Sequence, residues 1–316
     1  MAKVCFVEKK FSRDREFLID IVNSVVDEFV ADGYRLTLRQ LYYQLIARDL
    51  LPDSWADEHL RTKNTQRNYK RLGSLVNDAR LAGRVDWDAI EDRGRNLQRN
   101  SSWYGPMDIL RSVASQYHID MWENQDYRPE VWIEKESLIG VIAPTCTALD
   151  VPYYATRGYN SASEMYEAHE RIFQHMRDGY TPVIIHLGDH DPSGIDMTRD
   201  NRDRLELMLG ETVTVKRIAL NYSQVQQYNP PPNPAKSTDA RYAGYEERYG
   251  DESWELDALN PAVINQLIRS EIESMIDEDA WAEQQDRLDR DKKELDTLYY
   301  RWRDVEAFIR GINGQD

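Results

Sequence analysis

Four apolar, strand-like segments alternate with helical segments between residues 131 and 219, and this pattern constrains the fold more than any other feature of the chain. The predicted strands cover residues 131–134, 151–155, 182–188 and 212–219, and the predicted helices cover 136–149, 161–177 and 194–209. Apolar strands that alternate with helices are typical of a mostly parallel sheet covered on both faces. We therefore expect an α/β fold here, with ligands bound at the carboxyl ends of the strands.

Acidic side chains follow two of these predicted strands. Glu134 ends the first strand, and the third strand is followed by Asp189 and Asp191 and then by a proline–glycine turn. Carboxylate oxygens are the ligands that Mg²⁺ prefers, so acids at neighbouring strand ends predict a magnesium site. Glu136 is an alternative ligand. The opposing interpretation is that the aspartate pair is a helix N-cap with a solvated neighbour.

The first hundred residues have the pattern of a small helical domain. Apolar residues at helical spacing predict helices over 16–29, 38–48 and 65–81, and residues 84–95 suit a small β hairpin. Three helices followed by a hairpin predict a winged helix-turn-helix. An ordinary helical bundle with a charged, solvated face is the alternative.

The charge distribution indicates a DNA-binding surface although the whole chain is acidic. The formal net charge is −16, yet residues 61–84 carry seven lysines and arginines against Asp78 alone. A local surplus of this kind suits contact with phosphates, so we expect the third helix to face double-stranded DNA. The alternative is a basic helix that is simply solvated. The residues expected to contact DNA are Arg67, Lys70, Arg71 and Arg80.

The second predicted helix contains Arg39, Tyr42 and Tyr43. Arg39 and Tyr43 are four residues apart and therefore share one helix face. A tyrosine hydroxyl beside a guanidinium can attack a phosphodiester while the arginine holds the phosphate. On these residues alone, tyrosines that pack a small helical core are the simpler interpretation.

The remaining segments predict connections and accessory helices. Residues 94–128 read as a polar connection with a helix over 106–117, and the proline-rich stretch 228–236 is expected to loop out. A helix is expected over 261–276. Another is expected over 280–310, with an apolar stripe that packs on this chain or on a second copy.

Composition excludes several classes of protein. Cys5 and Cys146 are too few for a disulfide framework, no Cys/His spacing suggests zinc, and we expect both thiols to be buried. No apolar stretch is long enough to span a membrane, and the first residues lack the apolar core of a signal peptide. We therefore expect a cytoplasmic protein with no membrane partner. Gly158 lets the backbone approach a phosphate or a metal site, unless it only forms a tight turn.

Three motifs resemble those of a Toprim domain. They are residues 131–135 (Val-Trp-Ile-Glu-Lys), 156–159 (Thr-Arg-Gly-Tyr) and 188–194 (Gly-Asp-His-Asp-Pro-Ser-Gly). Their variant is similar to the A subunit of type IIB topoisomerases (topoisomerase VI) and the related meiotic double-strand-break transesterase. In that family a winged helix precedes the Toprim and carries the catalytic tyrosine in an Arg-x-x-Tyr-Tyr context, which residues 39–43 match. Residues 254–259 resemble a stretch near the family's C-terminal end.

The resemblance implies a Mg²⁺-dependent homodimer that cleaves both strands of DNA. Tyr43 would attack a phosphorus, join the 5′ phosphate and release a 3′ hydroxyl, while Arg39 steadies the phosphate. In the family the tyrosine of one chain faces the metal-binding acids of its partner. No ATPase motif is present, so strand passage would need a separate B-type ATPase subunit, and the chain looks most like small stand-alone phage or plasmid relatives.

Two alternatives to this activity stay open: a hydrolytic Toprim nuclease that uses a metal-activated water, and a non-catalytic winged-helix DNA-binding protein. In each case the expected fold class is a multi-domain α/β protein, associated with nucleoid or viral DNA. Its expected parts are a winged-helix domain with the candidate tyrosine (1–100), a linker with a helix (101–130), a Toprim metal-binding domain (131–225), and a proline-rich loop with C-terminal helices (226–316).

Overall fold

The computed structural model describes residues 3–57, 62–90 and 102–312. Over these ranges the chain forms twelve α-helices and six β-strands, a mixed α/β fold. Each of the four helices that precede the main sheet was predicted from the sequence. They are α1 (Arg13–Ala31), α2 (Leu38–Ala47), α3 (Gln66–Leu81) and α4 (Pro106–Gln116).

The first three helices share a hydrophobic core of their own, built around residues such as Val22, Leu41 and Leu72. At the start of α2, the Thr37 side chain accepts a hydrogen bond from the Gln40 backbone and the Gln40 side chain accepts one from the Thr37 backbone. These reciprocal bonds satisfy two backbone donors that a helix start leaves open. No strand forms over 84–90, and the remainder of the predicted hairpin, 91–95, lies outside the described residues.

The main sheet has four parallel strands in the described part of the chain. Its members are β1 (Tyr127–Ile133), β2 (Tyr153–Ala155), β3 (Thr181–Leu187) and β4 (Thr214–Ala219). They are ordered β2-β1-β3-β4, so the chain places β2 on one side of β1 and β3 on the other. The carboxyl ends of β1 and β3 therefore flank the point where the strand order reverses, which is where open α/β sheets bind ligands.

Helices cover both faces of this sheet, as the strand–helix alternation predicts. The helices between its strands are α5 (Ile139–Ala148), α6 (Ala162–Arg177) and α7 (Pro192–Leu209). After β4 the chain forms α8 (Tyr222–Tyr228), β5 (Asn233–Pro234), α9 (Tyr242–Tyr249), β6 (Glu252–Ser253), α10 (Pro261–Glu273), α11 (Glu278–Tyr300) and α12 (Trp302–Ile312). Val131 and Ile133 pack in a core with α5 and α10, whereas Trp132 faces α6 and α7, because side chains alternate along a strand.

Several expectations need correction. β1 begins at Tyr127, inside the stretch expected to be a linker. The proline-rich segment does not simply loop out, because β5 within it pairs with β6 in an antiparallel ladder. The predicted helix over 280–310 breaks at Arg301, and α12 buries no side chain.

Two smaller findings complete the comparison with the sequence. Cys146 is buried as expected, but Cys5 is exposed, because its segment lies on the surface beside the end of α3. Among the described helices, none combines the length and the apolar character that crossing a bilayer requires.

Candidate functional site

The carboxyl ends of β1 and β3 bring Glu134 and Asp189 together. Ile133 pairs with Leu187 at the ends of the two strands, and the Glu134 backbone N–H donates to the Leu187 carbonyl. Two residues after Leu187, the Asp189 backbone N–H donates to Glu134 Oε2 at 2.8 Å. Both carboxyl groups are largely withdrawn from water, and burial raises the pKa of each above its usual value. The two predicted acids thus meet where the sheet topology places a ligand site.

Asp191 lies near the same point but has a structural role as well. Its side chain caps α7 by accepting a hydrogen bond from the Gly194 backbone at 2.6 Å. Its negative charge raises the pKa of Glu134, after burial and against the opposing effect of Lys135. The N-cap interpretation is therefore correct for Asp191, whereas Asp189 is buried rather than solvated.

The histidine between the two aspartates faces away from them. His190 Nδ1 bonds the Tyr245 hydroxyl at 2.9 Å, and its ring packs among aromatic side chains that include Trp254 and Tyr249. Burial lowers the pKa of His190 to about 4, so the ring is neutral at physiological pH. Alternation of side chains in this extended segment fixes the acids on one side and the imidazole on the other.

Arg217 binds the backbone of the loop over 188–191, which carries the two aspartates. Its guanidinium is buried and donates to the carbonyl oxygens of Gly188 and Asp189 at 2.9 and 2.6 Å, and to other acceptors in α7 and after β4. Burial lowers its pKa to about 10, so the group stays charged near neutral pH. A cation fixed under the loop carbonyls orders the backbone that presents Asp189.

Of the two glycines over 188–194, Gly194 has less room for a side chain than Gly188. A Cβ atom there would collide with the carbonyl oxygen of Asp189, which is backbone and has little room to move. We expect Gly194→Ala to lower the free energy of unfolding by about 1–3 kcal/mol, the usual cost of overpacking. Chemical denaturation followed by circular dichroism measures the change.

Gly244 in α9 provides the matched control, because a Cβ there meets no atom within 4 Å. Gly244→Ala is expected to raise the stability by about 0.5–1 kcal/mol, since alanine loses less backbone entropy in a helix. Equal effects of the two substitutions would contradict the tight contact at Gly194.

A network of charges extends from Asp189 to the end of β6. Lys135 Nζ lies 2.7 Å from Asp189 Oδ2 and 3.1 Å from Glu255 Oε2. Arg39 Nη2 lies 2.8 Å from Glu255, and its Nε lies 3.7 Å from Asp257. Burial opposes the charge of Lys135, but Asp189 and Glu255 outweigh it and raise the pKa of that ammonium. The network links helix α2 to the strand-end acids.

The described site has more carboxyl groups than cations. Five carboxylates, those of Glu134, Asp189, Asp191, Glu255 and Asp257, surround three cations, Arg39, Lys135 and Arg217. Asp257 is almost fully buried, and burial raises its pKa; its Oδ2 has no hydrogen-bond partner among the described residues. Ionising all five carboxyl groups would bury a surplus of negative charge, which either protonation or one further cation would offset.

The acids, as they are positioned here, do not form a metal-binding site. Within the ranges that the structure describes, no group of three or more His, Cys, Asp or Glu side chains is arranged so that it could hold a metal ion. The reason is that Asp189 accepts bonds from Lys135 and from the Leu256 backbone, while Asp191 turns toward the start of α7.

The two adjacent tyrosines of α2 have different surroundings. The Tyr42 hydroxyl accepts from the Thr65 backbone N–H at 2.8 Å and lies 3.0 Å from the carbonyls of Lys63 and Thr65, which share its single proton. Its ring also contacts Tyr69 edge-on. Tyr42 therefore packs against α3 and holds the segment that precedes it. This agrees with the simpler interpretation, in which a tyrosine of this helix packs a small core.

Tyr43 instead faces the charge network. Arg39 and Glu255 line the same cavity as Tyr43, and Asn233 Nδ2 donates to its hydroxyl at 3.4 Å. Only 4 % of the residue is exposed, and burial, followed by the charge of Glu255, raises its pKa to about 12. The hydroxyl borders a cavity of about 170 Å³ that Arg39 and the first residues of α3 also line.

The predicted DNA-contacting residues of α3 divide into two groups. Arg67, Lys70 and Arg71 are exposed, and the Arg71 guanidinium lies over the Trp55 ring. Arg80 is partly buried and donates to the backbone carbonyls of Trp87 and Ile90. Arg80 therefore anchors the segment after α3, and we leave it out of any DNA-binding surface.

Gly158 adopts a positive φ of 107° directly after Arg157, whose φ is also positive at 54°. The Arg157 backbone N–H donates to the Glu134 carbonyl at 3.1 Å, so this turn borders the acids. A glycine is required here for the turn geometry, which supports the tight-turn interpretation. The neighbouring Thr156 hydroxyl is buried and has no partner among the described residues.

Five residues of the site were not singled out from the sequence: Lys135, Arg217, Asn233, Glu255 and Asp257. Lys135, Glu255 and Asp257 lie within stretches that carry the family resemblance, and Arg217 is a charged residue inside an apolar strand. These sequence features could have identified all of them except Asn233. The site thus joins a tyrosine, an arginine and a set of acids within one chain.

No protein-family model matches this chain, and neither a curated protein nor a solved structure does.

Proposed function

We propose that this protein cleaves double-stranded DNA by transesterification, with Tyr43 as the nucleophile that becomes joined to the 5′ phosphate. The observation that carries the proposal is the position of the Tyr43 hydroxyl, which borders a cavity beside Arg39 and connects through Glu255 and Lys135 to Asp189. A nucleophile, a phosphate-binding cation and a cluster of acids are the parts that phosphodiester cleavage by a tyrosine requires.

The folds proposed for the two parts of the chain agree with this activity. The three-helix unit with basic α3 supports a winged helix, and a four-stranded parallel sheet with acids at its switch point supports a Toprim domain. Both proposals rest on the motifs of the sequence together with these coarser features. We therefore propose an enzyme similar to the A subunit of type IIB topoisomerases, which acts as a homodimer with or without a separate ATPase subunit.

The chemistry of the acid cluster fits a divalent cation, although the present side-chain positions do not bring three carboxylates to one point. The donors are hard oxygens, and burial raises the pKa values of Glu134 and Asp189, so a bound cation would favour their ionised forms. We propose that Glu134, Asp189 and Asp191 hold Mg²⁺. When bound, Mg²⁺ would offset negative charge on the phosphate and on the departing oxygen.

The chain's own residues position the reacting groups. Arg39 can hold the phosphate through its planar guanidinium in exchange for its ion pair with Glu255. The N-terminal end of α3 lines the same cavity, where the helix dipole favours an anion. Arg67, Lys70 and Arg71 extend from this end along the exposed face of α3 and would contact neighbouring phosphates of the duplex.

The experiment that tests this function is to trap a covalent adduct. Wild-type protein is incubated with end-labelled duplex DNA and Mg²⁺, denatured, and digested with protease. We expect 5′-linked DNA on a peptide that contains Tyr43, identified by mass spectrometry, and no adduct in the presence of a chelator. Adduct on a different residue, or no adduct at all beside efficient cleavage, would contradict the proposal.

A hydrolytic Toprim nuclease is the second candidate, and one observation favours it. Tyr43 is almost fully buried and its pKa is raised, so the hydroxyl is both covered and hard to ionise in this arrangement. A nuclease would use the strand-end acids without the tyrosine. Metal-dependent cleavage that leaves free 5′ phosphates and no linked protein identifies this candidate.

A further inference from the structure

Glu255 is the carboxylate that lines the cavity beside Tyr43. It was not among the catalytic candidates chosen from the sequence. It follows β6, and the short turn over 256–258 that comes next packs against α2. Its carboxylate accepts from Arg39 at 2.8 Å and from Lys135 at 3.1 Å, and it lines the same cavity as Tyr43. A carboxylate that shares a cavity with the hydroxyl of a nucleophile is positioned to act as a general base.

We propose that Glu255 accepts the phenolic proton as Tyr43 attacks the phosphodiester, an inference that rests on the proposed function. In this step the bond from the Tyr43 oxygen to phosphorus forms and the bond from phosphorus to the 3′ oxygen breaks. The phenolic proton moves to Glu255, and the 3′ oxygen leaves with its electron pair and takes a proton from water. Glu255 then returns its proton to water.

The electrostatic surroundings of Glu255 suit this role. The groups that face it are Tyr43 and Arg39 from α2, Lys135 after β1, and Asp257 from its own turn. Burial raises the pKa of Glu255, but Lys135 and Arg39 outweigh it, so the net direction is downward and the group is ionised at neutral pH. Protein kinases likewise use an ionised aspartate to accept a hydroxyl proton during phosphoryl transfer.

The test compares Glu255→Gln with Glu252→Gln, an exposed glutamate three residues earlier. Glutamine retains the shape and a hydrogen-bond acceptor but cannot take up the proton. We expect the rate of adduct formation to fall by about 10²–10⁴ in Glu255→Gln, the usual contribution of a general base, and to stay unchanged in Glu252→Gln. A loss below about threefold in Glu255→Gln overturns the proposal.

Two readouts separate proton transfer from a merely structural role. In Glu255→Gln the rate is expected to rise about tenfold per pH unit between pH 7 and 9, because only ionised Tyr43 then reacts, whereas the wild-type rate is nearly flat. Replacing Tyr43 in that variant by 3,5-difluorotyrosine, a more acidic phenol, is expected to restore at least tenfold activity. A flat profile without rescue would assign Glu255 to positioning Arg39 instead. Failure of the proposed function itself is distinct, because the wild type would then form no adduct at Tyr43.

Discussion

Tyr43→Phe is expected to abolish the covalent DNA adduct, with a fall of at least about 10³-fold relative to wild type. The substitution removes one oxygen atom from a side chain that is 4 % exposed, and it leaves the ring packed in place. Removing a covalent nucleophile eliminates the reaction path itself, so the loss is far greater than that of a binding contact. Denaturing electrophoresis of labelled DNA after incubation with Mg²⁺ measures the adduct directly.

Tyr42→Phe provides the matched control one residue away. The Tyr42 hydroxyl has three backbone partners at the start of α3, so its removal is expected to cost about 1–3 kcal/mol of stability through an unsatisfied buried group. The adduct should nevertheless form at close to the wild-type level below the melting temperature. A Tyr42→Phe protein that folds but forms no adduct would reverse the roles of the two tyrosines.

Local patterns in the sequence predict the sheet and its acids well. Strand–helix alternation specifies parallel strands, and the position of Glu134 and Asp189 one or two residues beyond β1 and β3 follows directly. The strand order β2-β1-β3-β4 then makes these two ends neighbours. Sequence reasoning set a magnesium ligand against a helix N-cap at Asp191; the structure shows the N-cap, and it also places the Asp191 charge near Glu134.

Contacts between distant segments could not be predicted in the same way. Arg39 and Glu255 are 216 residues apart, and their ion pair depends on how α2 docks against the turn after β6. Asn233 reaches Tyr43 only because β5 pairs with β6. Hydrophobic periodicity sets which face of an element is buried, but it carries no information about which other element covers that face.

The same contacts bear on whether one active site draws on one chain or two. The family resemblance implies that Tyr43 acts with the acids of a partner chain. In this structure, however, Tyr43 shares a cavity with Glu255, and Lys135 joins that glutamate to Asp189 of the same chain. Such a network orients the nucleophile toward its own acids, and we therefore expect each site to be formed within a single chain.

Mixing two inactive variants decides between these arrangements. Tyr43→Phe and Asp189→Asn chains are co-expressed with different tags, and the mixed species is purified through both. With sites formed within one chain, each chain lacks one essential group and we expect no adduct. With shared sites, one of the two sites would combine an intact Tyr43 with an intact Asp189, so the Asp189→Asn chain would carry adduct at about half the wild-type level.

Wild type paired with Tyr43→Phe is the positive control, because the wild-type chain is expected to react in either arrangement. Adduct on the Asp189→Asn chain would contradict the single-chain site and place each tyrosine against its partner's acids.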